Sequence, residues 1–308
     1  MEEKLWKACS DGNVEEVRKL LQNEQININW QDPEYSSTPL FRACGWGHIE
    51  IVKLLLNDKR VDINKANKYE ATPFFIACLH GHVEIVKLLN DKRIDINQAS
   101  SLGFTPICIA CQEGHIEIVK LLLNDKRVDI NKAFNTGATP FLIACENGHI
   151  DIVKLLLNDN RVDFNKGNKN DATPFYIACQ QGHIDTVKLL LNDKRIDINK
   201  ARNEGETPFL FSCYTGQIEV VKYLLGCGRE IDINKKDNDG KTALDWARQH
   251  STSTQKFEWE TDEQFQKRKS NCPKIVELIE SFQRNPIETR AKLRKELGLT
   301  GKFFFIFI

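Results

Sequence analysis

Three kinds of chemically capable side chain recur in this sequence at nearly fixed intervals. Gly-His pairs place an imidazole at His48, His82, His115, His149 and His183. A thiol stands at Cys9, Cys44, Cys78, Cys111, Cys145, Cys179 and Cys213. Basic pairs fall at Lys59-Arg60, Lys92-Arg93, Lys126-Arg127 and Lys194-Arg195. Imidazoles and thiolates are zinc ligands, a C-x-x-C such as Cys108-Ile-Ala-Cys111 is the spacing of thiol redox chemistry, and a basic ladder suits phosphate. The spacing argues against each of these readings. Zinc holds its ligands at about 2.0–2.3 Å, whereas equivalent side chains on successive packed helices lie about 8–10 Å apart. A disulfide needs Cα atoms within about 7 Å. All ten cysteines of the chain are therefore expected to be free thiols, the seven of the ladder being small buried groups that stand where alanine would fit. Cys111 belongs to that ladder, so its C-x-x-C lies within one helix. Each basic pair is flanked by aspartates, as in Asp58-Lys59-Arg60-Val61-Asp62, and is neutral within a Debye length of about 8 Å. No phosphate loop, nucleophile elbow or metalloprotease motif is present. No catalytic residue, cofactor or metal is expected.

The elements that carry these residues are clearest in Thr139 to Asn158. Thr139 suits an N-cap and Pro140 the first helical position. Phe141, Ala144 and Cys145 share one face of a short helix that Gly148 ends, and Ile150, Val153, Leu156 and Leu157 predict a second helix. Two short helices cannot close a core alone. The chain supplies copies: Thr-Pro recurs at Thr38, Thr72, Thr105, Thr139, Thr173 and Thr207, with Thr242-Ala243 as an altered seventh start, at intervals of 33 to 35 residues. A period of this length predicts a solenoid in which each unit packs only on its neighbours.

The repeat resembles the ankyrin repeat, a turn and two helices of about 33 residues with a T-P-L-H-x-A signature. The resemblance runs from Leu5 to about Phe282. It implies an all-α repeat solenoid of helix-turn-helix units joined by short β-hairpin loops. It also implies a non-enzymatic protein-interaction scaffold or adaptor that binds another protein on its concave face. The signature histidine is missing; its place holds Phe41, Phe75, Cys108, Leu142, Tyr176 and Leu210. The Asn of loops such as Asp129-Ile130-Asn131 resembles the family's loop asparagine, and its amide is expected to tie its own hairpin. Two other readings stay open: a regulatory or targeting domain of a larger enzyme or channel, and a small-ligand or nucleic-acid binder that stacks aromatic rings.

Composition sets limits on partners. Lys plus Arg and Asp plus Glu are equal at 43 each, so no global field draws nucleic acid or anionic membrane. No apolar run approaches the length of a membrane span, and the acidic Met1-Glu-Glu-Lys start lacks a signal peptide's apolar core. The expectation is a soluble monomer of the cytoplasm, with the nucleus left open, and no nucleic-acid partner.

Along the chain, residues 1–32 read as an N-terminal capping repeat and 33–236 as six full repeats. Residues 237–284 read as a last repeat interrupted by a polar, mobile insert at 251–272, which Phe257, Trp259 and Phe265 could anchor. Pro273 is expected to open that repeat's second helix. Asn285-Pro286 with Glu288 predicts a final helix, followed within 285–308 by the apolar tail Phe303–Ile308, an ending that fits a fragment of a longer protein.

Aligning the units on Thr-Pro leaves two sets of positions that do not repeat, just before Thr and just before Gly-His. In the N-terminal half they hold Tyr35, Trp46, Tyr69, Leu79, His80, Leu102 and Phe104. In the C-terminal half they hold mostly Thr136, Glu146, Asn147, Asn170, Gln180, Gln181, Glu204 and Glu206, with Tyr214 as an exception. Packing repeats, so residues that packing dictates repeat too; these are the expected partner-binding residues.

Overall fold

A computed structural model describes residues 1–258 and 260–299. The described residues form helices and turns, with no strand among them. They group into two compact units, Met1–Asp163 and Phe164–Ile308.

Unit 1 is five helix pairs. The first helices are α1 (Glu2–Asp11), α3 (Pro39–Trp46), α5 (Pro73–Leu79), α7 (Pro106–Gln112) and α9 (Pro140–Glu146). The second helices are α2 (Val14–Leu21), α4 (Ile49–Leu56), α6 (Val83–Leu89), α8 (Ile116–Asn124) and α10 (Ile150–Leu157). Each first helix packs on the next first helix, and each second helix on the next second helix. The Thr-Pro start works as its chemistry requires. Thr38, Thr72, Thr105 and Thr139 are buried, and each hydroxyl accepts the backbone N–H three residues on, at 3.1 to 3.3 Å. Apart from the terminal α1, which buries only Leu5, Ala8 and Cys9, the first helices are buried nearly all round; Pro140 through Cys145 are all in the core, so no single face carries the packing. In α10, Ile150 is the first residue and half-buried at the rim, and Ile152 joins Val153 and Leu156 in the core instead.

Unit 2 contains α11 (Pro174–Gln181), α12 (Ile184–Leu191), α13 (Pro208–Tyr214), α14 (Ile218–Gly226), α15 (Ala243–Thr252), α16 (Asp262–Arg284) and α17 (Pro286–Glu296). Its C-terminal end differs from the expectation. Residues 262–272 are not a mobile polar insert but the first half of α16, and Pro273 lies inside that helix rather than at its start. The helix begins at a capping box that the sequence reading passed over. The Gln264 N–H donates to the Thr261 hydroxyl (3.2 Å), and the Thr261 N–H donates to the Gln264 side chain (2.8 Å). The buried stripe is Arg268, Cys272, Ile275, Ile279 and Phe282. A charged residue at its head disguised the period.

Only residues between α15 and α16 remain irregular, and they are held down. Arg268 is 1% exposed and pairs with the equally buried Glu260 at 2.8 Å, while its guanidinium also meets His250 Nδ1 at 3.1 Å. Phe257 stacks on Tyr214 (centroids 5.1 Å apart) and lies 4.2 Å from the Arg268 guanidinium; Phe265 lies 5.3 Å from it on another side. Trp259 and the Phe303–Ile308 tail fall outside the described residues. The final helix forms as read: Asn285 caps α17, and Leu293 is buried beside Gly226.

Candidate interaction surface

The loops between repeats are β-turns rather than strands, and their tips are joined one to the next by single backbone bonds. In unit 1 the N–H of Lys68 donates to Tyr35 O, that of Ser101 to Tyr69 O and that of Asn135 to Leu102 O, at 3.0, 2.8 and 3.3 Å. Tyr35, Tyr69 and Leu102 therefore occupy equivalent rungs, three residues before the Thr of their repeats. Their side chains stay exposed, as does Trp46 at the end of α3: Tyr35 is 42%, Trp46 60%, Tyr69 51% and Leu102 64% accessible. The turn demands a left-handed residue next to each tip. Gly103 and Gly137 fill that position, but Ser36 (φ 54°) and Glu70 (φ 59°) fill it beside the two tyrosines.

Two cation–aromatic clusters organise these residues. The Lys68 ammonium lies 4.6 Å from the Tyr35 ring and 5.1 Å from the Tyr69 ring, and donates to the Glu34 carbonyl. The Arg42 guanidinium lies 4.8 Å from Trp6 and 5.7 Å from Trp46, while its Nε donates to Ser10 Oγ at 3.0 Å. Arg42, Trp46, Phe41, Ile76 and His80 line a cleft of about 410 Å³. Burial, and then His82 and His115, hold the His80 imidazole below its ordinary range, so it is neutral at pH 7.

The other expected site residues divide. Leu79 is half-buried, and its carbonyl is committed to His115. Phe104 is half-buried and stacks on Phe134 with centroids 4.2 Å apart, so one face of its ring belongs to the fold. In unit 2, Glu204 and Glu206 both pair with Arg202. The sequence reading missed Trp6, Arg42 and Lys68. Arg42 carried a usable signal: at its position, four after Thr, the other repeats have Ile76, Ile109, Ile143, Ile177, Phe211 and Trp246.

The recurring polar residues turn out to be backbone ties between neighbouring repeats. Nε2 of His48, His82, His115 and His149 meets the carbonyls of Ser10, Gly45, Leu79 and Gln112 at 2.9 to 3.0 Å; a carbonyl can only accept, so Nε2 carries the proton. In unit 2, Gln217 does the same to Gln180 O at 3.1 Å. The loop asparagine does not tie its own hairpin, contrary to expectation, but reaches the next one. Asn64 donates to Arg93 O (2.7 Å) and accepts from the Asp95 N–H (3.1 Å); Asn29, Asn97 and Asn131 repeat the pattern. A fixed, extended loop backbone places both groups opposite one primary amide. The loop arginines pair with the Asp two residues before them. Arg60, Arg127 and Arg161 also reach carbonyls of the preceding repeat. The ten cysteines are unpaired; nine are buried, and desolvation raises every one of their thiol pKa values, Cys272 to about 11.

A family model for ankyrin repeats, built on three copies, matches residues 2–67, 59–134, 127–202 and 196–256. The chain belongs to the ankyrin-repeat family, whose members are generally protein–protein interaction modules and typically not enzymes. No curated protein matches it. No helix among the described residues is long and apolar enough to cross a membrane.

Proposed function

We propose that this chain is a non-enzymatic scaffold that captures a partner protein on the hairpin-tip and first-helix face of unit 1. The observation that carries this is the distribution of exposed large apolar side chains. Four of the eight among the described residues, Tyr35, Trp46, Tyr69 and Leu102, stand at the non-repeating positions of that face. Exposed aromatic residues cost solubility unless a partner covers them, and interface energy concentrates in Trp and Tyr. Leu79, His80 and Phe104 flank them. The compartment we assign is cytoplasmic, in keeping with ten unpaired thiols.

The test is a pull-down with mass spectrometry, followed by binding of the identified partner to variants. Trp46→Ala and Tyr69→Ala should each weaken binding by about 2 kcal/mol or more, the hot-spot scale, with the thermal midpoint little changed. If both bind normally while Glu204→Ala abolishes binding, the surface lies in unit 2 instead.

A further inference from the structure

Arg42 occupies a place where the repeat asks for an apolar side chain. Ile109, Ile143, Ile177 and Phe211, its equivalents, are buried in the first-helix row. An arginine there gives up that packing. It is also unlike the loop arginines of unit 1. Arg60, Arg93, Arg127 and Arg161 each have an aspartate within 2.7 Å; Arg42 has no carboxylate partner among the described residues. Its Nε is fixed by Ser10 Oγ, and its guanidinium carbon lies 4.8 Å from the Trp6 ring and 5.7 Å from the Trp46 ring. Trp6 is itself fixed, donating its indole N–H to Ser37 O at 3.1 Å. Both terminal nitrogens of Arg42 lack an acceptor among the described residues, while the group is half-buried at the wall of the 410 Å³ cleft. A guanidinium held this way presents a planar pair of donors, the geometry that takes a carboxylate in two parallel bonds. The cleft beside it joins the apolar side chains of Phe41, Ile76 and Trp46 to the imidazoles of His80 and His82.

We infer that the Arg42 cleft receives an Asp or Glu side chain of a partner protein segment, with a neighbouring apolar residue of that segment seated against Trp46 and Ile76. The inference rests on the interaction reading above and adds the chemistry of the partner. Charge complementarity favours a carboxylate over a nucleic-acid backbone. A polyphosphate needs a run of cations along one surface, whereas Arg42 is the one lysine or arginine among the residues that line the cleft. One guanidinium without a carboxylate partner, beside aromatic and aliphatic side chains, suits a single carboxylate.

The experiment uses the full chain, immobilised, to select from a displayed library of random dodecapeptides. One enriched peptide is then fluorescein-labelled for anisotropy. Enriched sequences should carry Asp or Glu next to an apolar residue. Changing that carboxylate to its amide should weaken binding at least about tenfold, the scale of a charged hydrogen bond. Arg42→Ile, the residue other repeats use, should produce the same loss without lowering the denaturation midpoint. Arg42→Lys, which keeps the charge but not the fork, should also weaken binding. Failure to enrich any peptide, or peptides indifferent to Arg42→Ile, would overturn the inference. So would an Arg42-dependent complex with a labelled 20-nucleotide RNA in place of the peptide. Neutral peptides that still require Trp46 would overturn the carboxylate alone and leave the interaction surface standing; peptides that need neither Trp46 nor Arg42 would remove both.

Discussion

The hairpin tips show how much a single backbone angle constrains a residue. Glu70 sits at φ 59° where Gly103 and Gly137 sit at 85° and 87°. A left-handed conformation costs a non-glycine residue roughly 1–2 kcal/mol. Glu70 bonds to the turn through its own N–H, which donates to Asn67 O, and its carboxylate makes no hydrogen bond among the described residues. Glu70→Gly is expected to stabilise the protein by about 1 kcal/mol, set against the greater freedom glycine gives the unfolded chain, and the urea midpoint should rise. The reverse change fails for two reasons. In Gly103→Ala a Cβ would stand 2.5 Å from Asn135 Oδ1 in addition to the angle, and the midpoint should fall. At this scale the sequence was legible where a residue repeats and opaque where a contact needs a partner from another repeat. Trp46 and Tyr69 stand out in the sequence because they break a pattern, and both are exposed in the fold. Lys68 was not, because only the folded tips bring Tyr35 and Tyr69 to either side of it.

Among the elements, α16 is the one whose sequence misled. Its polar first half reads as a loop until Arg268 is seen buried against Glu260, with His250 alongside. Removing one member of such a buried pair leaves the other charge unmatched and costs about 3–5 kcal/mol. Arg268→Ala should therefore lower the denaturation midpoint far more than a surface Lys256→Ala. The His250 imidazole adds a pH dependence. Burial first, and the Arg268 charge second, lower its pKa to about 4, against about 6.5 in an unfolded chain. Between those values the unfolded chain binds a proton that the folded one does not. Stability is thus full above about pH 6.5 and is lost as pH falls toward 4. Glu260 compounds the loss at the acid end. Burial is the largest single influence and would raise its carboxyl pKa, but the Arg268 hydrogen bonds, the Phe257 N–H and the Arg268 charge together outweigh it and hold the net value below the ordinary range. Denaturant midpoints measured from pH 7.5 to 4.5 should fall in the parent, and the slope should flatten in His250→Asn. An equal slope in both would remove His250 from the account. The first and second helices of the repeats, by contrast, were legible in detail, since Thr-Pro, Gly-His and a 3.6-residue period each act locally.

For the whole molecule, composition and period indicated the fold class directly, because a solenoid is a local rule applied many times. The same logic bears on redox chemistry. Cys9, Cys44, Cys78, Cys111 and Cys145 recur at one buried position of successive first helices, too far apart to bridge, and desolvation disfavours their thiolates. Thiol titration in denaturant should count ten groups with or without prior reductant, and a lower count without reductant would contradict the unpaired state. What composition could not supply is the partner, since a neutral chain with 43 charges of each sign gives no global cue; the cue that exists is one arginine in an apolar row.

The ties between repeats have an evolutionary side. His82, His115 and His149, the loop asparagines and the tip N–H groups all address backbone atoms of the adjoining repeat. Every residue except proline offers the same backbone donor and acceptor. A repeat therefore recognises its neighbour's shape without reading its side chains, and a copied or deleted repeat meets its new neighbour with every tie intact. Gene duplication can lengthen or shorten such a chain in whole steps, and selection is then free to rewrite the exposed residues of one repeat, as at Tyr69 and Leu102, with no compensating change in the next.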